Sequence, residues 1–280
     1  MTTNYQDSPT TTVDVDGTPF AYRQVGPEGS VPLVCLHHLT AGLDDWDPAV
    51  VDGLAAERQV IAFDNRGVGG SGGATPDNVE TMADDAVAFL SALGLGTVDL
   101  LGFSLGGMVA QVIAERRPDL VRRLILAGTG PAGGTGGASA ADVLQSAIAR
   151  AAAEGRHPKH FLFFSPTPAS QAAADAFLGR LDARAPQDRD APVSNESIGA
   201  QLTALAKWER STSPAGLATV TQPVLVVNGD KDIMLPTINS FDLARSLPDA
   251  QLSIYPDAGH GGIFQYHALF VQQASAFLRG

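Results

Sequence analysis

The chain has 280 residues, 44% of them hydrophobic and 17% charged, with a formal net charge of -12. That is apolar material for a sizeable core, in one large α/β domain or two smaller ones, and it excludes global disorder. The acidic balance argues against nucleic acid and anionic membrane as partners, no apolar run reaches membrane-span length, no signal peptide is visible, and the single cysteine, Cys35, allows no internal disulfide, so the expected location is cytoplasmic.

Residues 1–9 read as a loose tail. Thr10 to Val15 and Pro19 to Val25, parted by Asp16-Gly17, have the pattern of an antiparallel hairpin. Pro32 to Leu36 is a short, wholly apolar strand of the type buried on both faces, followed by His37-His38-Leu39-Thr40. Asp47-Pro48 opens a helix to about Glu57. Gln59 to Phe63 is another buried strand, closing on the glycine-rich segment 64–73. A helix from about Val79 to Leu93 follows, with Met82, Ala86, Phe89 and Leu90 on its apolar side. Val98 to Leu101 is a buried strand leading into Gly102; beyond Gly107, helical spacing of Met108, Val109, Val112 and Ile113 runs until Pro118, and Val121 to Ala127 is the next strand.

The rhythm breaks at Gly128. Thr129 to Gly137 is Gly-rich and reads as flexible, and from about Ala140 to Lys207 only helical signals occur, strongest in 140–154, 171–183 and 196–207. Strand–helix alternation resumes with Pro223 to Val227, a helix to about Leu247, a last strand from Gln251 to Tyr255 and a closing helix from about Tyr266 to Leu278. This order implies a mostly parallel central sheet with helices on both faces. Residues 1–130 and 216–280 form the core of this division, and 131–215 a helical insertion after the sixth strand.

In open α/β sheets the chemistry sits at the carboxyl ends of strands, where this chain places His37-His38, Ser104, Asp232 and His260. Gly102-x-Ser104-x-Gly106, between strand and helix, has the pattern of a nucleophile elbow. The glycines relieve crowding in a sharp turn that lifts the hydroxyl toward a helix N-terminus, where negative charge is favoured. The five-residue pattern alone is weak; its strand-before, helix-after context strengthens it. A neutral serine needs a base, and His260 lies among glycines after the last strand. Asp230, Asp232 and Asp257 all lie near enough in the pattern to be its acid, Asp257 reading more as a turn residue. Segment 64–73 carries neither a Walker lysine nor dinucleotide spacing, and His157 and His160 lack further ligands for a metal.

The order serine, acid, histidine, the elbow, the Asp64–Ser71 segment, Gly229-x-x-Asp232 and Ala258-Gly259-His260-Gly261 resemble the α/β-hydrolase fold family, over nearly the whole chain from about residue 12. The resemblance makes the insertion a helical cap and segment 64–73 a structural turn whose Asp and Arg bond loop backbone. It makes Ser104 the nucleophile and His260 the base. It selects Asp232 as the acid, because the family places that residue three after the glycine, while the alternative position reads Gly128-Thr129-Gly130. It implies an oxyanion hole formed by the N–H groups of Leu105 and, from a loop where relatives commonly carry His-Gly-x, of Leu39. His38 then replaces a glycine, which leaves Thr40 as an alternative donor and His38 as either a substrate contact or a packing residue; His37 braces the loop.

The implied reaction is hydrolysis of a small, largely apolar carboxylic ester or lactone through an acyl-enzyme, without cofactor or metal. The expected pocket is lined by some of His38, Leu39, Thr40, Phe103, Leu105, Met108, Phe161, Phe164, Trp208, Ile233 and Met234, with core packing the alternative for each. His37-His38 and Asp44-Asp45-Trp46 also show some resemblance to the cofactor-free haloperoxidase (perhydrolase) group. Carbon–carbon bond hydrolases and thioesterases share the triad. A rival of another class is a non-catalytic or slow-turnover ligand receptor on the same fold, against which the complete triad weighs. The expected partner is a small molecule, with no nucleic acid and no membrane; homo-oligomerisation stays open.

Overall fold

A computed structural model describes residues 4–134, 140–211 and 216–280. The end of the Gly-rich stretch up to Gly137, residues 1–3 of the expected tail and the insertion boundary at residue 215 lie outside the described residues.

Among the described residues, β1 Thr11–Val15, β2 Thr18–Val25, β3 Leu33–Leu36, β4 Val60–Phe63, β5 Val98–Phe103, β6 Val121–Ala127, β7 Val224–Gly229 and β8 Ala250–Tyr255 form one eight-stranded sheet in the order β1-β2-β4-β3-β5-β6-β7-β8. The hairpin β1–β2 and the β2–β4 pair are antiparallel; every other pairing is parallel. The sequences explain the placement. The runs in β3, β4, β5 and β7 are buried at every position, as strands covered on both faces must be, while the edge strands β1 and β8 alternate or stay half-buried. The exception inside β5 is Asp99, whose fully buried carboxylate accepts two hydrogen bonds from Arg122 (2.9 and 2.6 Å).

The helices flank the sheet. α1 Pro48–Ala55 starts at Asp47, whose side chain accepts the Ala49 N–H, and α2 Val79–Ala92 is capped by Asn78 through the Thr81 N–H. α3 Leu105–Arg116 follows β5 directly and packs against β5, β6 and α2. Between β6 and β7 the described residues form no further strand of the sheet but the helices α4 Ala140–Glu154, α5 Lys159–Leu162, α6 Pro168–Leu181 and α7 Asn195–Glu209. α8 Ile238–Ser246, α9 Gly262–Gln265 and α10 His267–Arg279 complete the chain. No helix among the described residues is long and apolar enough to cross a membrane.

The insertion is tied to the core by specific polar contacts. Arg180 forks onto the Asp47 carboxylate (2.8 and 2.6 Å), Lys159 pairs with Asp45, and Ser197 Oγ donates to Gly67 O (2.7 Å). An isolated bridge joins Phe164 to Ala258, and the Gly261 N–H donates to Phe163 O (2.9 Å), so the loop after β8 is held against α5.

The described part of the N-terminal segment is not a loose tail. Tyr5 is 2% exposed and donates its hydroxyl to Leu43 O (2.8 Å), while Arg184 donates to Gln6 O and Ser8 O. A polar stretch with no periodicity gives no sign of such anchoring, because its partners lie far along the chain.

Candidate active site

The β5–α3 junction forces Ser104 into φ 56° and ψ -117°, left-handed geometry that a side-chain-bearing residue adopts at a cost of about 1–3 kcal/mol. The neighbouring glycines are obligatory. A Cβ on Gly102 would stand 2.4 Å from Gly106 O, and one on Gly106 would stand 2.1 Å from Leu36 O, at the start of the His37 loop. The turn is fixed from the next strand: the Ser104 N–H donates to Ala127 O (2.9 Å) and Thr129 Oγ1 donates to Ser104 O (2.8 Å). Leu105 is the first residue of α3, so its N–H has no intrahelical acceptor and sits at the positive end of the helix dipole.

The carboxyl end of β7 supplies Asp232. Its Oδ1 accepts the N–H groups of Met234 (2.8 Å) and Leu235 (2.9 Å), which orients Oδ2 onto His260 Nδ1 at 2.8 Å. The carboxylate can only accept, so Nδ1 carries the hydrogen and a neutral ring keeps its Nε2 lone pair free. The pair is buried, with side-chain exposures of 0% and 2%. The His260 ring lies 5.0 Å from that of Phe103, the residue before Ser104, which brings the histidine beside the elbow. Asp230 and Asp257 are otherwise engaged: Asp230 Oδ1 accepts the Ala258 N–H (3.3 Å), and the Asp257 carboxylate accepts the hydroxyls of Ser165 and Thr167 from a left-handed turn. Those hydroxyls hold the Asp257 carboxyl below the usual range.

In the loop after β3 the left-handed residue is Thr40 (φ 65°), and its N–H already donates to Gln201 Oε1 of α7 at 2.9 Å. The Thr40 N–H is thereby already engaged. His38 sits between Phe103 and Phe163, ring centroids 5.2 Å from each, with Nδ1 2.6 Å from Leu39 O. Burial, seconded by the Lys159 cation, pushes His38 down to about 3. Burial likewise lowers His37 to about 4, against the smaller opposing pull of its hydrogen bond to the Phe63 backbone; its ring packs 5.8 Å from Trp46, and its Nε2 is buried without a partner among the described residues. Burial raises Asp45, but Lys159 and His38 outweigh it and hold the carboxyl at about 2.

The expected pocket residues are not gathered in one wall. Phe161, Phe164 and Ile233 line a cavity of about 710 Å³ between the insertion and the Asp232 loop, together with Arg150, Arg156 and Lys231, and neither Ser104 nor His260 forms part of it. Its lining is therefore mixed in character, apolar with cations, instead of simply apolar. Trp208 borders a smaller cavity of about 160 Å³ and donates its indole N–H to Gly130 O (3.2 Å). Phe103 and Met108 are fully buried, and Met234 nearly so. Asp64 bonds loop backbone as the sequence implied, through the Leu43 and Gly70 N–H groups (3.0 and 2.9 Å). Arg66 does not: it forks onto Asp85 and reaches Thr18 Oγ1. No cluster of metal-ligand type exists among the described residues, and His160 Nδ1 faces the Arg156 guanidinium at 2.9 Å.

Asp45, Lys159 and Gln201 were not legible as site residues. Each stands in an ordinary polar or amphipathic setting, and only the docking of the insertion brings Lys159 and Gln201 to the loop after β3.

A family profile described as alpha/beta hydrolase fold matches residues 31–265. The chain is 43% identical to an alpha/beta hydrolase fold protein from Chitinophaga pinensis, the match covering 99% of each chain with a TM-score of 0.90. A thermophilic esterase from Thermogutta terrifontis is 25% identical, with 97% and 98% of the two chains covered and a TM-score of 0.73. A poly(3-hydroxyalkanoate) depolymerase from Ectopseudomonas oleovorans is 32% identical over 82% of this chain and 77% of its own. With its strand order, its elbow turn and these similarities, the chain belongs to the alpha/beta hydrolase fold family and is an enzyme of the hydrolase class.

Proposed function

We propose that the protein is a serine hydrolase of small carboxylic esters or lactones, with Ser104 as nucleophile, His260 as base and Asp232 as the acid that orients it. The observation that carries this reading is the 2.8 Å bond from His260 Nδ1 to Asp232 Oδ2, made beside a serine held at positive φ. Ser104 Oγ attacks the acyl carbon as His260 Nε2 takes its proton, and Asp232 stabilises the imidazolium. The N–H groups of Leu39 and Leu105 receive the oxyanion. His260 returns the proton to the leaving alcohol; water, activated by the same ring, then releases the acid from Ser104. The esterase and depolymerase similarities support ester chemistry.

In this reading residues 131–215 act as a cap over a core of 1–130 and 216–280. Ser104 is 4% exposed and His260 3%, so the insertion and its neighbours cover most of the site.

The test is intact-mass spectrometry after exposure to an organophosphonate probe, with Ser104→Ala as control. One adduct on the wild type and none on the variant is the expected result. An unlabelled wild type that turns over no small ester would put the receptor reading in its place.

A further inference from the structure

The loop after β3 is attended by polar atoms that the protein leaves unsatisfied. His38 is 6% exposed, and its Nδ1 lies 2.6 Å from Leu39 O. A carbonyl only accepts, so Nδ1 carries the hydrogen; the ring is neutral, and Nε2 is a bare acceptor. That atom is buried without a partner among the described residues. Gln201, fully buried on α7, turns its Oε1 to the Thr40 N–H at 2.9 Å, which commits the opposite end of the amide to be a donor. Its Nε2 is buried without a partner as well. A buried polar atom without a protein partner calls for a water, a ligand or a catalytic role to account for it.

Both residues bond the backbone next to the Leu39 N–H assigned to the oxyanion, His38 at Leu39 O and Gln201 at the Thr40 N–H. The His38 ring also shares its aromatic neighbours with His260: Phe103 at 5.2 and 5.0 Å, Phe163 at 5.2 and 5.6 Å. A ketone or ether oxygen satisfies only the donor. A hydroxyl carries both functions, a hydrogen to give to His38 Nε2 and lone pairs to accept from Gln201 Nε2. We propose that the site selects esters whose acyl part carries a hydroxyl close to the scissile carbonyl, with His38 as its acceptor and Gln201 as its donor. The proposal rests on the Ser104 hydrolase reading.

Lys159 has a positioning part in this. Paired with Asp45 across the contact between insertion and core, it places a cation near His38 and disfavours the protonated ring, which would have no lone pair to offer. The insertion thereby supplies Gln201 directly and the protonation state of His38 indirectly, so recognition is complete only when the insertion is docked.

The experiment compares kcat/KM for 4-nitrophenyl butanoate with the 2-hydroxy- and 3-hydroxybutanoate esters. The wild type is expected to prefer one hydroxylated ester by at least about tenfold, since a site built to bond a hydroxyl rejects the analogue lacking it. His38→Phe keeps an aromatic ring and removes the acceptor; Gln201→Glu keeps the bond to the Thr40 N–H and removes the donor. Each is expected to bring the ratio toward one, and His38→Gln, with an amide oxygen in reach, to recover part of it. A wild type indifferent to the hydroxyl, or ratios unchanged in both variants, overturns the proposal. Phosphonate labelling of the same samples separates the two failures. A labelled enzyme without preference refutes hydroxyl recognition alone; an unlabelled, inactive one refutes the hydrolase reading and this proposal with it.

Discussion

The carboxyl of Asp190, on the stretch between α6 and α7, shares one hydrogen-bond donor with the buried carboxyl of Asp64 after β4. The Leu43 N–H lies 3.0 Å from Asp64 Oδ1 and 3.4 Å from Asp190 Oδ2. Burial and the facing Asp190 raise Asp64 well above the usual carboxylate range, against the smaller opposing pull of the Gly70 and Leu43 N–H groups. Nearby, Asp44 accepts the Asp190 N–H (2.6 Å) and pairs with Arg23 and Arg184. The insertion is thus attached to the core in part through a carboxyl pair that prefers to hold a proton.

The sign of the resulting pH dependence follows from the raised value. Asp64 binds its proton more tightly folded than unfolded, so its contribution is whole below the unfolded pKa of about 3.9 and is lost as pH rises through the folded one. Asp190→Asn removes the like charge. We expect it to raise the melting temperature at pH 8 by about 2–6 °C, with a smaller gain at pH 5. Thermal melts of both proteins across that range check this; identical curves would count against the pair.

The two histidines after β3 act in the opposite direction. Their folded values, about 4 for His37 and about 3 for His38, lie below the ordinary one near 6.5. The stability they contribute is present above about pH 6.5 and is lost as pH falls toward 4 and then 3. His38→Phe has nothing to protonate there, so its urea midpoint is expected to fall less than that of the wild type between pH 6.5 and 4. An equal or steeper fall would show that His38 does not set the acid limb.

Much of the frame was legible because it rests on local patterns. The runs Val34-Cys35-Leu36, Val60 to Phe63 and Val98 to Leu101 are apolar without alternation, which only strands buried on both faces require. Asp47-Pro48 marked the α1 start, and the glycines around Ser104 marked a turn with no room for side chains. Asp232 is separated from Asp230 in the sequence only by family spacing; in the structure it is the Asp232 carboxylate that meets His260 Nδ1. What stayed hidden depends on distant docking. Tyr5 reaches Leu43 O, Gln201 reaches the Thr40 N–H and Lys159 reaches Asp45, and no periodicity encodes such pairings. The short helix α5 lies within the stretch read as helical, but four residues carry too little pattern to fix its bounds.

Strain at the elbow gives a stability prediction of its own. Ser104 is held at φ 56° and ψ -117°, and its side chain caps nothing in α3. Glycine tolerates positive φ, so Ser104→Gly removes about 1–3 kcal/mol of strain and returns about 0.5–1 kcal/mol of backbone entropy to the unfolded chain. We expect a net gain of about 1 kcal/mol in urea unfolding, with loss of ester turnover and of phosphonate labelling. Destabilisation would mean that the hydroxyl has a structural partner in solution.

The most discriminating substitution is Asp232→Asn, which changes almost no volume. In the wild type, Oδ1 takes the Met234 and Leu235 N–H groups and Oδ2 takes His260 Nδ1–H. An asparagine has one oxygen and one NH2 to share between these partners. The two backbone donors claim the oxygen, so the NH2 faces His260, and Nδ1 must accept. The ring then carries its hydrogen on Nε2 and cannot take the proton of Ser104. We expect kcat to fall by about 10⁴ with KM moved much less, because the orientation of the bound ester does not depend on the tautomer. The rate of phosphonate labelling should fall in parallel, since it uses the same proton transfer. The backbone bonds to residue 232 persist in the variant, so its melting temperature should stay close to that of the wild type. Loss of activity together with the fold would assign Asp232 a structural part, whereas a kcat within about tenfold of the wild type would mean that another group orients His260.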